Sequence, residues 1–212
     1  MTALTAEKPG LKETISYVAA RLTTPLPGLG WHRYRLLAVP RVGMPTMPRG
    51  YRVEETAANE LEGRIDASAD VIAYRRAQGL TALAAFRDDL LVGVNWISAS
   101  AFNEDEVAAR WVPPAKGAWD TGLWVHPGHR LSRAFSALWA GTSDWMRERQ
   151  LDWSFSRIAD YNLGSLAPHL RMGGITVGTA SFARFGPLQL ADRGRGRVSA
   201  GAPVTIKLEI PR

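Results

Sequence analysis

Between Asp120 and Ile158 the chain reads strand, long helix, strand: "DTGLWVH", an amphipathic stretch over residues 130–149, then "LDWSFSRI". Two strands of one sheet joined through a helix run parallel, and the crossover between them is right-handed. The strands just upstream, "LTALAAFR" and "LLVGVNWISASAF", are separated only by Asp88 and Asp89, a spacing that demands an antiparallel hairpin. One parallel pair set among hairpin-connected strands means a mixed sheet. It also leaves a helix N-terminus at the sheet edge, where unpaired backbone N–H groups favour anions.

The remaining pattern fills out this frame. Leu11, Ile15, Val18 and Leu22 share one face of an expected helix over residues 11–22, which "TTPLPGLG" stops. "WHRYRLLAVP" alternates loosely, as a strand does, and "RVGMPTMPRG" reads as a proline-rich connector. Residues 1–48 are therefore expected to be an N-terminal extension, and residues 49–212 the main domain. "YRVEE" predicts a strand, followed by two short helical stretches within residues 56–78. Residues 103–118 form a polar connector, either a functional flap or a disordered loop. In the long helix Leu131, Phe135, Leu138, Thr142 and Trp145 recur at helical spacing. A short helix in "NLGSLAPHLRM" ends at Gly173-Gly174, and "ITVGTASFARF" and "VTIKLEI" are the last two strands. The expected fold class is α/β: a mixed, mostly antiparallel central sheet with helices on both faces, plus the N-terminal helical extension.

Composition narrows the function. The net charge of +6 and a pI near 10.0 suit an anionic partner, whether nucleic acid, acidic lipid or a nucleotide-bearing cofactor. The absence of cysteine rules out disulfides and thiolate metal sites, and four histidines with no close helical pair give no reason to expect a metal. No apolar run is long enough to span a bilayer, and "MTALTAEKPGLKET" has no apolar signal core. A cytoplasmic location is the default expectation. No helix-turn-helix or aromatic RNA-binding strand is present, so a nucleic-acid partner is not expected.

The segment "LWVHPGHR", the long helix, and "LDWSFSRIADYNLGSLAPHLRMGG" together resemble the GNAT superfamily of acyl-CoA-dependent N-acyltransferases. That family carries V-x-P-x-x-[RQ]-x-x-G-x-[GA] at a strand–turn–helix, and later N-x-x-[AS]-x-x-x-[YH]-x-x-x-G. Val125, Pro127 and Arg130 match the first motif; Asn162, Ser165, His169 and Gly173 match the second without a gap. Arg133 and Phe135 stand where the family has small residues, so the pyrophosphate-binding turn is degenerate.

The resemblance implies a GNAT fold and transfer of an acyl group, acetyl first among them, from acyl-CoA to an amine of an unknown acceptor, without a metal. The cofactor-binding candidates are Val125 and the turn Arg130, Leu131, Ser132, Arg133, Ala134 and Phe135, whose amides would face the pyrophosphate. Asn162 and Ser165 would lie along the pantetheine arm. His169 stands at the general-acid position, and Asp120 is an outside candidate for the base. Each residue also has a plainer reading: Asn162 or Ser165 as a helix cap, His169 as a packed histidine, Asp120 as an exposed strand-start residue. His126 and His129 fit either a surface role or phosphate contact. Trp111 and Trp119 fit core packing or contact with an acyl chain, and "DRGRGR" at 192–197 fits a surface loop. Three rivals stay open: a GNAT-fold binding or scaffold module without acyl-CoA chemistry, an acyltransferase fed by an acyl-carrier protein, and a basic nucleic-acid-binding domain. The sequence leaves the oligomeric state open, a homodimer included.

Overall fold

The computed structural model describes residues 10–23, 26, 28–104 and 106–211. A helix α1 (Leu11–Thr23) precedes strands β1 (Leu29–Pro40) and β2 (Tyr51–Thr56). Helix α2 (Ala69–Ala77) is followed by β3 (Thr81–Arg87) and β4 (Leu90–Ser98), whose tight turn places Asp88 and Asp89 at positive φ. The short strands β5 (Phe102–Asn103) and β6 (Ala109–Val112) lead to β7 (Gly117–Val125), α3 (Ala134–Glu148), β8 (Trp153–Ala159) and α4 (Leu163–Arg171). The chain closes with β9 (Ile175–Phe185), β10 (Leu188–Ala191), β11 (Val198–Ala200) and β12 (Val204–Lys207).

Nine strands form one sheet in the order β11-β10-β9-β1-β8-β7-β4-β3-β2, and every pair in it is antiparallel except β7 with β8. The expected crossover thus supplies the sheet's one parallel pair. Helix α3 packs Trp139, Trp145 and Met146 against Val39, Leu83 and Ile97 on one face, and Leu166 of α4 joins Leu37 and Ile158 on that same face. The other face buries Trp96, Trp111, Trp119, Phe155 and Phe182 together with Ile72 of α2. Helices therefore lie on both faces, as expected. No helix among the described residues is long and apolar enough to cross a membrane.

Three sequence expectations need correction. The boundary at residue 48 does not separate an extension from the sheet, because β1 lies inside it, between β8 and β9. Its run Tyr34, Leu36, Leu37, Ala38 and Val39 is buried on both faces, so it shows no clean alternation. The polar connector at 103–118 is not simply a loop. It contributes β5 and β6 to a second, three-stranded sheet, and the expected last strand pairs there as β12, parallel to β6, instead of joining the main sheet. The stretch 192–197 links β10 to β11, and Arg195 exchanges both backbone hydrogen bonds with Thr205 of β12.

Candidate functional site

β7 and β8 pair only over Gly117–Trp119 and Trp153–Phe155. Beyond those residues β8 stays with β1 as far as Ala159, while β7 turns away. The turn away coincides with a register shift of β7 against β4 between Val94 and Trp96, where Gly122 takes φ +68°, a conformation that favours glycine. The strands open into a V, and a cleft of about 360 Å³ fills it. β7 amides that would have donated to β8 have no ladder partner there, so the V presents backbone donors to whatever enters.

At the apex the structure brings Asp120 and His169 together. Asp120 is the fourth residue of β7, and it is buried, not an exposed strand-start residue. His169 on α4 is equally buried, with Nε2 4.0 Å from Asp120 Oδ2 and Nδ1 2.6 Å from the Ser165 carbonyl oxygen. A proton on Nδ1 donates to that carbonyl, which turns Nε2 to the carboxylate. Trp139 and Phe135 meet the imidazole edge-on, with centroids 5.1 and 6.1 Å away, and fix its plane.

Helix α4 is held at both ends. The Asn162 side chain accepts from Ser165 N at 3.2 Å, so Asn162 and not Ser165 is the N-cap. At the other end Gly174 N donates to His169 O and Gly173 N to Leu170 O, with Gly173 at φ +79°. Pro168 lies inside the helix, which runs unbroken across it. Two caps on nine residues hold His169 at a fixed height over the V.

The turn after β7 differs from the expected direct entry into a helix. His126 Nδ1 accepts from Gly128 N and caps a single 3-10 turn, Pro127–His129, and α3 begins only at Ala134. Leu131 is therefore fully exposed, not part of the buried helical face. Ser132 Oγ donates to His129 O and accepts from Ala134 N, so the Ala134 amide is already satisfied. The amides of Leu131, Arg133, Phe135 and Ser136 donate to no acceptor among the described residues. The bulky Arg133 side chain points to solvent, and Phe135 packs inward beside Trp139 and His169. A second cleft of about 780 Å³ runs from this turn to α4, lined by Val125, Arg130, Phe135, Ser165, His169 and Arg171 among others. Arg130, Arg133 and Arg171 form no ion pair with any described residue. Trp111 and Trp119, by contrast, are fully buried and stacked at 5.1 Å, so neither is available to a ligand.

Sequence reasoning missed the wall on the other face of the sheet. Arg157 of β8 pairs with the buried Glu104, reaches Glu106 at 2.9 Å and stacks over Tyr34 at 4.5 Å. Burial opposes the charge on Arg157, but Glu104 and Glu106 outweigh it and hold the guanidinium protonated. Tyr34 OH donates to Glu106 at 2.8 Å, and burial pushes its pKa upward. His32 Nδ1 lies 3.7 Å from Glu106, with its pKa lowered chiefly by burial. These residues come from β1, β8 and the connector, which only the fold brings together. The one signal in the sequence was the spacing Glu104, Glu106 in a connector expected to be either a functional flap or a disordered loop. No cluster of three metal-ligating side chains is found among the described residues.

This fold has counterparts among solved structures. A fungal multi-domain GH3 β-N-acetylglucosaminidase that contains a GCN5-related glucosamine N-acetyltransferase region superposes with a TM-score of 0.50 over 84% of this chain and 23% of its own chain, at 10% identity. The chain has the GNAT fold. A functionally unknown conserved protein from Staphylococcus epidermidis superposes at TM-score 0.54 and 13% identity, over 84% of this chain and 68% of its own. A GCN5-related N-acetyltransferase from Kribbella flavida aligns at TM-score 0.48 and 16% identity, and this chain spans 60% of it. No protein-family model and no curated protein matches the sequence.

Proposed function

We propose that the protein is an N-acyltransferase that moves an acyl group, acetyl in the first instance, from acyl-CoA to an amine. The observation that carries this reading is the splayed β7–β8 pair, which has a buried Asp120–His169 pair at its apex and opens onto a groove rimmed by unpaired turn amides. The donor's phosphates would meet the amides of Leu131, Arg133, Phe135 and Ser136 and the unpaired Arg130 and Arg171, helped by the α3 dipole. Its pantetheine arm would run past Ser165 and the capped end of α4 at Asn162, and the thioester carbonyl would lie in the V against β7 amides. An acceptor amine entering from the Glu106 side attacks that carbonyl. The N–C bond forms, the C–S bond breaks with its electron pair on sulfur, and the amine proton leaves to a base, for which Asp120 is the candidate. His169 donates a proton to the departing thiolate.

The unpaired arginines at the groove mouth also favour a second reading, in which an acidic acyl-carrier protein delivers the acyl chain. The test is thiol release from acetyl-CoA and from an acylated carrier protein in the presence of a panel of primary amines. Amine-dependent release from acetyl-CoA supports the first reading, and release from the carrier alone supports the second. No release from either donor leaves a GNAT-fold binding module and refutes both.

A further inference from the structure

Ser156 is a buried polar group at the V that the proposed chemistry leaves without a task. Gly117–Trp119 face Trp153–Phe155, so the next step of that register sets Ser156 opposite Asp120, where the strands begin to part. The β1 partner of Ser156 is Leu37, which packs with Leu166 of α4. Ser156 therefore points to the α4 side of the sheet, the side from which His169 reaches Asp120. It is only 5% exposed, it lines the cleft with Asp120, Ser165 and His169, and its Oγ has no hydrogen-bond partner. Ser154, which also lacks a partner, lies within the paired segment and does not line the cleft.

A buried hydroxyl without a partner is destabilising, and it is tolerated where a ligand completes it. The thioester carbonyl has the β7 amides, whereas the sulfur, entering from the α4 side, meets His169 and Ser156. We propose that Ser156 Oγ donates a hydrogen bond to the sulfur of the acyl donor and holds the thiolate as it departs. This rests on the acyl-CoA reading above. The hydroxyl keeps its proton throughout; the proton that neutralises the thiolate comes from His169.

The test uses the full chain and CoA itself, with no acceptor required. The ultraviolet absorbance of the thiolate reports the pKa of the bound thiol in wild type, Ser156→Ala and Ser156→Thr. The alanine variant raises that pKa by about one unit, since the charged form loses a donor, and threonine keeps it within a few tenths. In turnover, alanine lowers kcat by roughly ten-fold and changes KM for acetyl-CoA less than about two-fold. If calorimetry shows no CoA binding to wild type, the acyl-CoA reading fails, and this role fails with it. If CoA binds wild type and Ser156→Ala alike and the bound thiol titrates identically in both, the role of Ser156 is refuted while the acyl-CoA reading stands.

Discussion

Replacing Glu104 with glutamine tests whether the wall facing the proposed acceptor is built as the geometry implies. Glu104 is 3% exposed at its side chain and Arg157 18%, so their ion pair is largely shielded from water. Removing one partner of such a pair costs about 3–5 kcal/mol, because the other charge stays buried. Here the loss is smaller. Glutamine keeps an acceptor oxygen for Arg157, which still reaches Glu106 at 2.9 Å and Tyr34 at 4.5 Å. A destabilisation of roughly 2–3 kcal/mol remains. Urea unfolding at neutral pH measures it as a lowered midpoint at constant slope. The double variant Glu104→Leu with Arg157→Met should lose less than Glu104→Gln, since it leaves no uncompensated guanidinium. A single variant within about 0.5 kcal/mol of wild type would refute the reasoning, because the pair would then be as weak as an exposed one.

Other perturbations have equally definite outcomes. Gly141→Ala gains about 1 kcal/mol of helix propensity, but its Cβ would stand 2.3 Å from Val53 Cγ1. Over-packing at about 1–3 kcal/mol outweighs that gain, and urea midpoints should show a net loss that Val53→Ala partly restores. Asn162→Ala removes the α4 cap and should cost about 1 kcal/mol in thermal unfolding, whereas Asn162→Asp should hold stability. His169→Phe should lower kcat at least about 100-fold if the imidazole is the acid, and unchanged turnover would remove that role. The folded-state pKa of His32 lies below its ordinary 6.5, so the folded chain binds fewer protons than the unfolded chain beneath that pH. Stability from this group is present above 6.5 and lost as pH falls through the folded value, and His32→Gln should flatten that part of a urea-midpoint profile.

The parallel pair was legible in the sequence because a long stretch with residues recurring at helical spacing separates two strand-like segments, the second of which alternates through Leu151, Trp153 and Phe155. Asn162, Ser165 and His169 were singled out by their match to the GNAT-like motif, and the structure places them on α4 and at its N-cap. β1 was less so. A strand buried on both faces loses its period, and nothing local reveals that Tyr34 will sit beside Ala159 and Ala180. The Glu104–Arg157–Tyr34 wall was illegible for a related reason: its members are separated by 53 residues or more in sequence, and each alone reads as an ordinary surface residue. The late start of α3 escaped notice because Leu131 fits the helical spacing. The Ser132 bonds to His129 and Ala134 decide otherwise.

Calorimetric titration of the full chain with acetyl-CoA tests the central claim most directly. The account predicts one binding site per chain, with affinity in the micromolar range and weakened at least about ten-fold when Arg130 and Arg171 are both replaced by glutamate. No heat with acetyl-CoA or any longer acyl-CoA, at high protein concentration, would contradict it.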